Sequence, residues 1–192
     1  MSIAISFQHT ADEFPEQLSI DQKIEIFRSQ VLGWQLKPAQ DMADNILHSG
    51  FAVLHIIMSY FEAMSKFRHG YAKKGDSEKF WVLGFQEVFP ELQTQIPNQS
   101  ERGEVLANIY EQVRCGLYHA GITGPSILLT ANTDKVIDVD TSFDPTRIVI
   151  NPHTIVPRLA HHFMDYIRDL RDPQNDSLRR NFEARFDFLG TT

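Results

Sequence analysis

A long apolar stripe in the middle of the chain is the feature that most constrains its fold. Between residues 42 and 67, apolar residues recur every three or four positions, which is the spacing of one helix face. Pro38 suits a first helical turn and Gly70 suits a stop, so the stripe predicts one helix from Pro38 to just before Gly70. Gly50 lies inside it and predicts a bend or a close helix contact. A helix this long and apolar is expected at the centre of a bundle.

Shorter helical patterns surround this stripe, and we expect further helices over residues 19–36, 77–88, 100–121 and 151–170. Three short β-branched segments, each next to turn residues, predict a small antiparallel β-meander: residues 127–130, 136–139 and 147–150. The sequence therefore predicts a mainly α fold, a helical bundle with the β-meander inserted before the last long helix.

No linker or internal repeat divides the sequence, so we expect one domain over residues 1–192. Within it we expect an N-terminal arm (1–18), the β-meander insertion (126–150) and a C-terminal tail (174–192). The tail carries aromatic residues, Phe182 and Phe186 among them, that must pack somewhere, and a partner subunit is one candidate.

Composition narrows the class of protein. The 192 residues carry a formal charge of −7 and one cysteine, Cys115. A single thiol suits a reducing compartment, and no apolar run is long enough to span a bilayer, so we expect a cytoplasmic protein without a membrane partner. The negative charge argues against nonspecific wrapping of nucleic acid, although a local positive site can lie on an acidic protein.

One pair of residues near a predicted helix end has the chemistry of a site. Arg114 is followed, after four residues, by His119. An arginine fork binds phosphate through two hydrogen bonds, and an imidazole exchanges a proton near neutral pH. On a regular helix the two side chains differ in direction by roughly 140°, so they converge only if the last turn loosens, which Gly116 and Gly121 allow. Such a pair can activate an RNA 2′-hydroxyl and stabilise charge on the phosphate without a metal.

The run RCGLYHAG, residues 114–121, resembles the R-x4-6-H signature of the HEPN superfamily. The resemblance implies a helical bundle that forms a homodimer, with two copies of the motif in a shared cleft. It implies a metal-independent endoribonuclease of the toxin–antitoxin or phage-defence type, with RNA as substrate, a cognate antitoxin as a possible partner and no cofactor. Arg114 would hold the phosphate and His119 would be the catalytic histidine. Cys115 departs from the polar residue, often Asn or Asp, that follows the arginine in many family nucleases.

Other members of that superfamily are inactive and act as binding or assembly modules. In that alternative, Arg114 and His119 form hydrogen bonds within one subunit and face no cleft. The acidic net charge and Cys115 favour this alternative. Basic residues are also common at helix C-termini simply because they stabilise that end of the helix.

Two further residues accompany the motif as candidates. Glu62 interrupts the apolar stripe, where it either pairs with Lys66 one turn later or orients Arg114 or His119 across the bundle. Tyr118 is expected to be a buried aromatic residue, and the alternative is that it stacks on a base or packs in a dimer.

A metal-dependent enzyme is a third alternative. His161 and Asp165 are spaced so that both can reach one ion on a helix face. The sequence offers no evident third ligand, so we expect no metal site there.

Overall fold

Helices form most of the molecule, and the predicted mainly α class is confirmed. The structure is a computed structural model that describes residues 3–70 and 75–190. Its elements in chain order are α1 (Ile20–Gln30), α2 (Lys37–Asn45), α3 (Gly50–His69), α4 (Ser77–Val88), α5 (Leu92–Gln95), α6 (Gln99–Ile109), α7 (Gly116–Ala120), β1 (Ile127–Leu129), β2 (Ile137–Asp140), β3 (Arg147–Ile150), α8 (Pro152–Arg171) and α9 (Asp176–Gly190). None of the helices in the described ranges has the length and apolar character needed to cross a membrane.

The chain from α1 to α2 is one continuous helix, so the prediction that Pro38 begins a new helix is wrong. A π-helical segment, Val31–Leu36, joins the two parts. Proline has no N–H and crowds the carbonyl four residues before it in a regular helix. The wider π turn lies directly before Pro38 and accommodates it.

The break in the predicted long helix comes after Asn45 instead. Residues 46–49 form a turn in which His48 has a φ of 63°, and α3 begins at Gly50. The carbonyl of Met42 accepts both the backbone N–H of Ile46 at 3.0 Å and the Ser49 hydroxyl at 2.8 Å, so the turn is bonded to the last part of α2. The helix thus ends at this turn although the apolar periodicity continues.

Helix α3 occupies the centre of the bundle, as its apolar stripe predicts, and α4 packs closely on it. A Cβ atom at Gly84 would lie 2.1 Å from the carbonyl oxygen of Phe61, so only glycine allows this approach. The Trp81 indole donates to the carbonyl of Met58 at 3.0 Å. Rings that contact one another fill the space between the two helices: Phe61, Trp81, Phe85 and Phe89.

The predicted antiparallel meander is wrong in its strand order. The sheet has the order β1-β3-β2, with β1 parallel to β3 and β2 antiparallel to it. In β3, Ile148 and Ile150 are both buried, whereas β2 alternates apolar residues with Asp138 and Asp140. Edge strands tolerate charged residues, so the more apolar strand takes the centre.

Helix α9, in the predicted C-terminal tail, packs on its own chain. Helix α8 begins at Pro152 behind the Asn151 cap, as predicted, and α9 follows it. The Phe182 ring is fully buried, with its centroid 5.5 Å from that of Phe27 and 5.8 Å from that of Phe67. A partner subunit is therefore not needed to cover Phe182.

Candidate functional site

The motif lies on one continuous helix with an irregular middle. The π-helical segment Tyr110–Cys115 connects α6 to α7, and the helix stops where Gly121 adopts a φ of 74°. Arg114 belongs to the π segment, whereas His119 lies in the last α-helical turn. The sequence allows the final turn to loosen at its glycines, whereas the observed irregularity comes one turn earlier and includes Arg114 itself.

The loop after the motif folds back onto this helix. A Cβ atom at Gly116 would lie 2.8 Å from the carbonyl oxygen of Ile122, so glycine lets the loop contact the helix. The backbone N–H of Gly124 donates to the carbonyl of Gln112 at 2.9 Å. The Gln112 side chain also accepts hydrogen bonds from Ser126. These contacts fix the backbone that carries the motif.

Arg114 is held by groups on two helices. Its guanidinium lies 3.8 Å from a carboxylate oxygen of Glu62 on α3, and its side chain is 25% exposed. The guanidinium carbon lies 5.7 Å from the centre of the Tyr110 ring and 5.0 Å from that of Tyr118. Both distances are within the range of cation–π contacts. The ion pair and the two rings therefore set the position of the guanidinium.

Glu62 contacts both of the partners that the sequence suggests for it, Lys66 and Arg114. One carboxylate oxygen pairs with Lys66 and accepts from the Ser77 hydroxyl at 2.9 Å, and the other faces Arg114. The Glu62 side chain is only 18% exposed. One negative charge thus serves two cations, so the cluster of Glu62, Lys66 and Arg114 carries a net positive charge on an acidic protein.

Ser77 is a site residue that the sequence does not reveal. A serine at the start of α4 is typical of a helix cap, but the cap position belongs to Asp76 and the Ser77 hydroxyl turns to Glu62. Its role depends on the contact between α3 and α4, which no local pattern encodes.

Tyr118 and His119 face solvent. The Tyr118 side chain is 76% exposed, so the expectation that it is buried is wrong for this chain. Its ring centre lies 6.0 Å from that of His119, which is also exposed. Because Tyr118 is 5.0 Å from the Arg114 guanidinium carbon and 6.0 Å from the His119 ring, the two motif groups are at most about 11 Å apart. Among the described residues, no hydrogen bond joins Arg114 directly to His119.

His55 on α3 anchors the end of the motif helix. Its Nε2 lies 2.8 Å from the carbonyl oxygen of Leu117, and its Nδ1 lies 3.2 Å from that of Phe51. A carbonyl only accepts, so a ring nitrogen of His55 bonds to either carbonyl only as a donor. His55 lies seven residues before Glu62, so the two residues are two turns apart on the same face of α3. This spacing is the sequence signal that could have associated His55 with the site.

Comparison with known proteins gives no relative. No protein-family model, curated protein or solved structure matches the chain. The HEPN resemblance therefore stays a prediction, based on the motif at residues 114–121.

The electrostatics of the cluster reach Tyr110. Burial raises the pKa of Tyr110, while the nearby charge of Arg114 opposes that shift. The phenol of Tyr110 therefore stays neutral at physiological pH. It interacts with Arg114 through a cation–π contact and not as a negative charge.

The pair considered for a metal already has side-chain partners on its own helix. A His161 nitrogen lies 3.4 Å from Asp165, and Arg168 lies 2.5 Å from the other oxygen of that carboxylate. In the described ranges, no three His, Cys, Asp or Glu side chains come close enough together to hold an ion.

Proposed function

We propose that this chain is a HEPN-like, metal-independent endoribonuclease that acts as a homodimer and cleaves RNA with Arg114 and His119. The observation that carries the proposal is the net positive cluster around Arg114, next to an exposed imidazole. Because Glu62 is shared with Lys66, the guanidinium keeps the capacity to bind a phosphate. Arg114 and His119 also flank the same Tyr118 ring, so the two groups lie at most about 11 Å apart.

The proposed reaction is attack of the ribose 2′-hydroxyl on the adjacent phosphate. His119 takes the proton of the 2′-hydroxyl, and the 2′-oxygen forms a bond to phosphorus. The bond to the 5′-oxygen breaks, and that oxygen takes a proton from a general acid. In a dimer, His119 of the second copy can supply this proton. The products are a 2′,3′-cyclic phosphate and a 5′-hydroxyl, and Arg114 stabilises the charge that grows on the phosphate.

Tyr118 suggests how such a site selects RNA. One side of its ring lies against Arg114, and most of the ring is exposed. An exposed aromatic ring next to a phosphate-binding group is suited to stacking with an unpaired base. We therefore expect a single-stranded segment at the cleavage point.

The biological setting follows only from the resemblance. A nuclease of this type in a toxin–antitoxin or phage-defence system acts in the cytoplasm, and a cognate antitoxin would restrain it. The charge of −7 does not exclude RNA binding at one small positive site, although it also favours the non-catalytic alternative.

The test is RNA cleavage in EDTA with wild type and His119→Ala. We expect the variant to lose about 100-fold or more of the rate, which is the usual contribution of a general acid or base. His161→Ala is the matched control, because His161 is also exposed but lies on α8. Equal rates for wild type and His119→Ala would reject the proposal, because the cleavage would then come from other residues or from a contaminating nuclease. The dimer is tested by light scattering coupled to gel filtration.

A non-catalytic binding module is the second candidate, and one observation favours it. Arg114 already has an ion pair and two ring contacts within its own chain. In this case Arg114→Ala lowers the free energy of unfolding, and the wild type binds RNA or a protein partner without cleaving. Absence of cleavage products, together with saturable RNA binding, would favour this candidate.

A further inference from the structure

A second candidate site lies between the N-terminal arm, the π-helical segment Val31–Leu36 and α8. It is a cavity of about 400 Å³, lined by residues that do not include Arg114 or His119. This volume is within the range of small-molecule sites in proteins. The cavity is therefore separate from the proposed nuclease site.

The walls of the cavity are fixed by specific contacts. The side chain of Phe7 packs on Gly33, where a Cβ atom would lie only 2.2 Å from Phe7 Cβ. The Gln30 side chain donates to the carbonyl of Ile5 at 2.7 Å, and the backbone N–H of Gln8 donates to the Ser29 hydroxyl at 3.1 Å. The arm is thus held against the π segment and forms one side of the cavity. π-Helical turns occur frequently at functional sites.

The lining combines an apolar floor with a charged rim. The floor is made by the buried side chains of Leu36 and Val156, with Leu32 and Ala160 beside them. The exposed Pro157 lies at its edge. At the rim are two cations, Arg28 and Lys37, and one acid, Asp41. Arg28 pairs with Glu25 at 2.6 Å, whereas Lys37 pairs with Asp41 at 3.0 Å.

The two ion pairs at the rim differ in exposure. The Arg28 and Glu25 side chains are 28% and 31% exposed, and those of Lys37 and Asp41 are 59% and 57% exposed. Exposed pairs contribute little stability, so the Lys37 ammonium can exchange Asp41 for another carboxylate at small cost. Lys37 is therefore the cation that is available to an incoming anion.

We propose that this cavity binds a small carboxylate with an apolar tail. The tail lies on the floor between Leu36 and Ala160, and the carboxylate meets Lys37 at the rim. Burial of the tail provides most of the affinity, and the ion pair sets the orientation.

Decanoate, used below its micellar concentration, is the probe, and titration calorimetry on the full chain is the measurement. We expect saturable binding of one decanoate per chain, and weaker binding of decanol, which has the same tail without the charge. Ala160→Phe fills the cavity and should weaken decanoate binding about tenfold or more. Lys37→Gln should weaken it about threefold, because the pair is exposed. Lys79→Gln on α4 is the matched control and should bind as wild type does.

Several results would overturn the inference. The cavity is not the site if wild type shows no saturable binding, or if Ala160→Phe keeps its circular dichroism spectrum and binds as before. Should Ala160→Phe unfold, Gln40→Trp at the rim replaces it as the blocking variant. The carboxylate assignment is wrong if decanol binds as tightly as decanoate, or if Lys37→Gln binds as wild type does.

Discussion

The guanidinium of Arg114 on the motif helix lies 3.8 Å from the carboxylate of Glu62 on α3. This ion pair joins the centre of the bundle to the helix that carries Arg114 and His119. The Glu62 carboxylate is also fixed by Lys66 and by the Ser77 hydroxyl. The position of Arg114 therefore depends on the packing of α3 and α4 as well as on its own helix.

The first prediction concerns Glu62. Glu62→Gln keeps the shape of the side chain but removes the charge that faces Arg114, so we expect RNA cleavage to slow about tenfold through loss of orientation. The folded state should persist, because Ser77 can still bond to the amide oxygen. The rate is measured in EDTA beside Glu104→Gln, an exposed acid on α6. Unchanged cleavage in Glu62→Gln would mean that Glu62 is only a structural partner of Lys66.

The second prediction compares two glycines. Gly84→Ala places a Cβ atom 2.1 Å from the carbonyl oxygen of Phe61, so α4 must move away from α3. We expect it to lower the free energy of unfolding by about 2–4 kcal/mol. Gly103 lies in α6 with no atom near its Cβ direction, so Gly103→Ala should raise stability by about 0.5–1 kcal/mol. Urea denaturation of both variants is the measurement, and equal effects would contradict the close packing of α3 and α4.

Local sequence signals account for much of the helical framework. Asn151 and Pro152 specify the start of α8: the Asn151 side chain accepts from the backbone N–H of His153 at 2.9 Å. The apolar stripe of α3 likewise predicts the central helix. These features depend on neighbours within one turn, which a pattern in the sequence records directly.

Features that depend on distant contacts could not be predicted in this way. The parallel pairing of β1 with β3 joins Ile127 to Ile148, so no local pattern records it. At the site, the Arg114–His119 spacing is visible in the sequence, and so is Glu62 as an anomalous charge. The contacts of Ser77 with Glu62 and of His55 with Leu117 are not visible, because they join residues 15 and 62 positions apart.

The third prediction concerns the pH dependence of stability. His162 has its Nδ1 2.8 Å from the Tyr60 hydroxyl, and burial, followed by the charge of Arg68, lowers its pKa below the ordinary 6.5. The unfolded chain therefore binds a proton at a higher pH than the folded chain. The neutral His162 therefore makes its full contribution to the free energy of unfolding above about pH 6.5. That contribution is lost as the pH falls through the lowered pKa. The slope from one such group is at most about 1.4 kcal/mol per pH unit.

Urea denaturation between pH 5 and pH 8 measures this effect. His162→Gln cannot titrate, so its stability should fall less steeply with decreasing pH than that of the wild type. His161→Gln is the matched control, because His161 is the exposed neighbour on the same helix. Parallel pH profiles for wild type and His162→Gln would show that His162 does not carry this dependence.

The last prediction concerns Tyr118 as a platform for a base. The ring is 76% exposed, so Tyr118→Ala should leave the stability nearly unchanged. It should weaken binding of single-stranded RNA about tenfold, since loss of one stacked base costs about 1–3 kcal/mol. Tyr118→Phe keeps the ring and should bind as the parent does. Affinity is measured at one fixed salt concentration in the His119→Ala background, where cleavage does not interfere.

An RNA that carries 2-aminopurine reports stacking directly, because its fluorescence falls when the base stacks. If the 2-aminopurine fluorescence falls as much on binding to Tyr118→Ala as on binding to Tyr118→Phe, the ring does not contact the RNA.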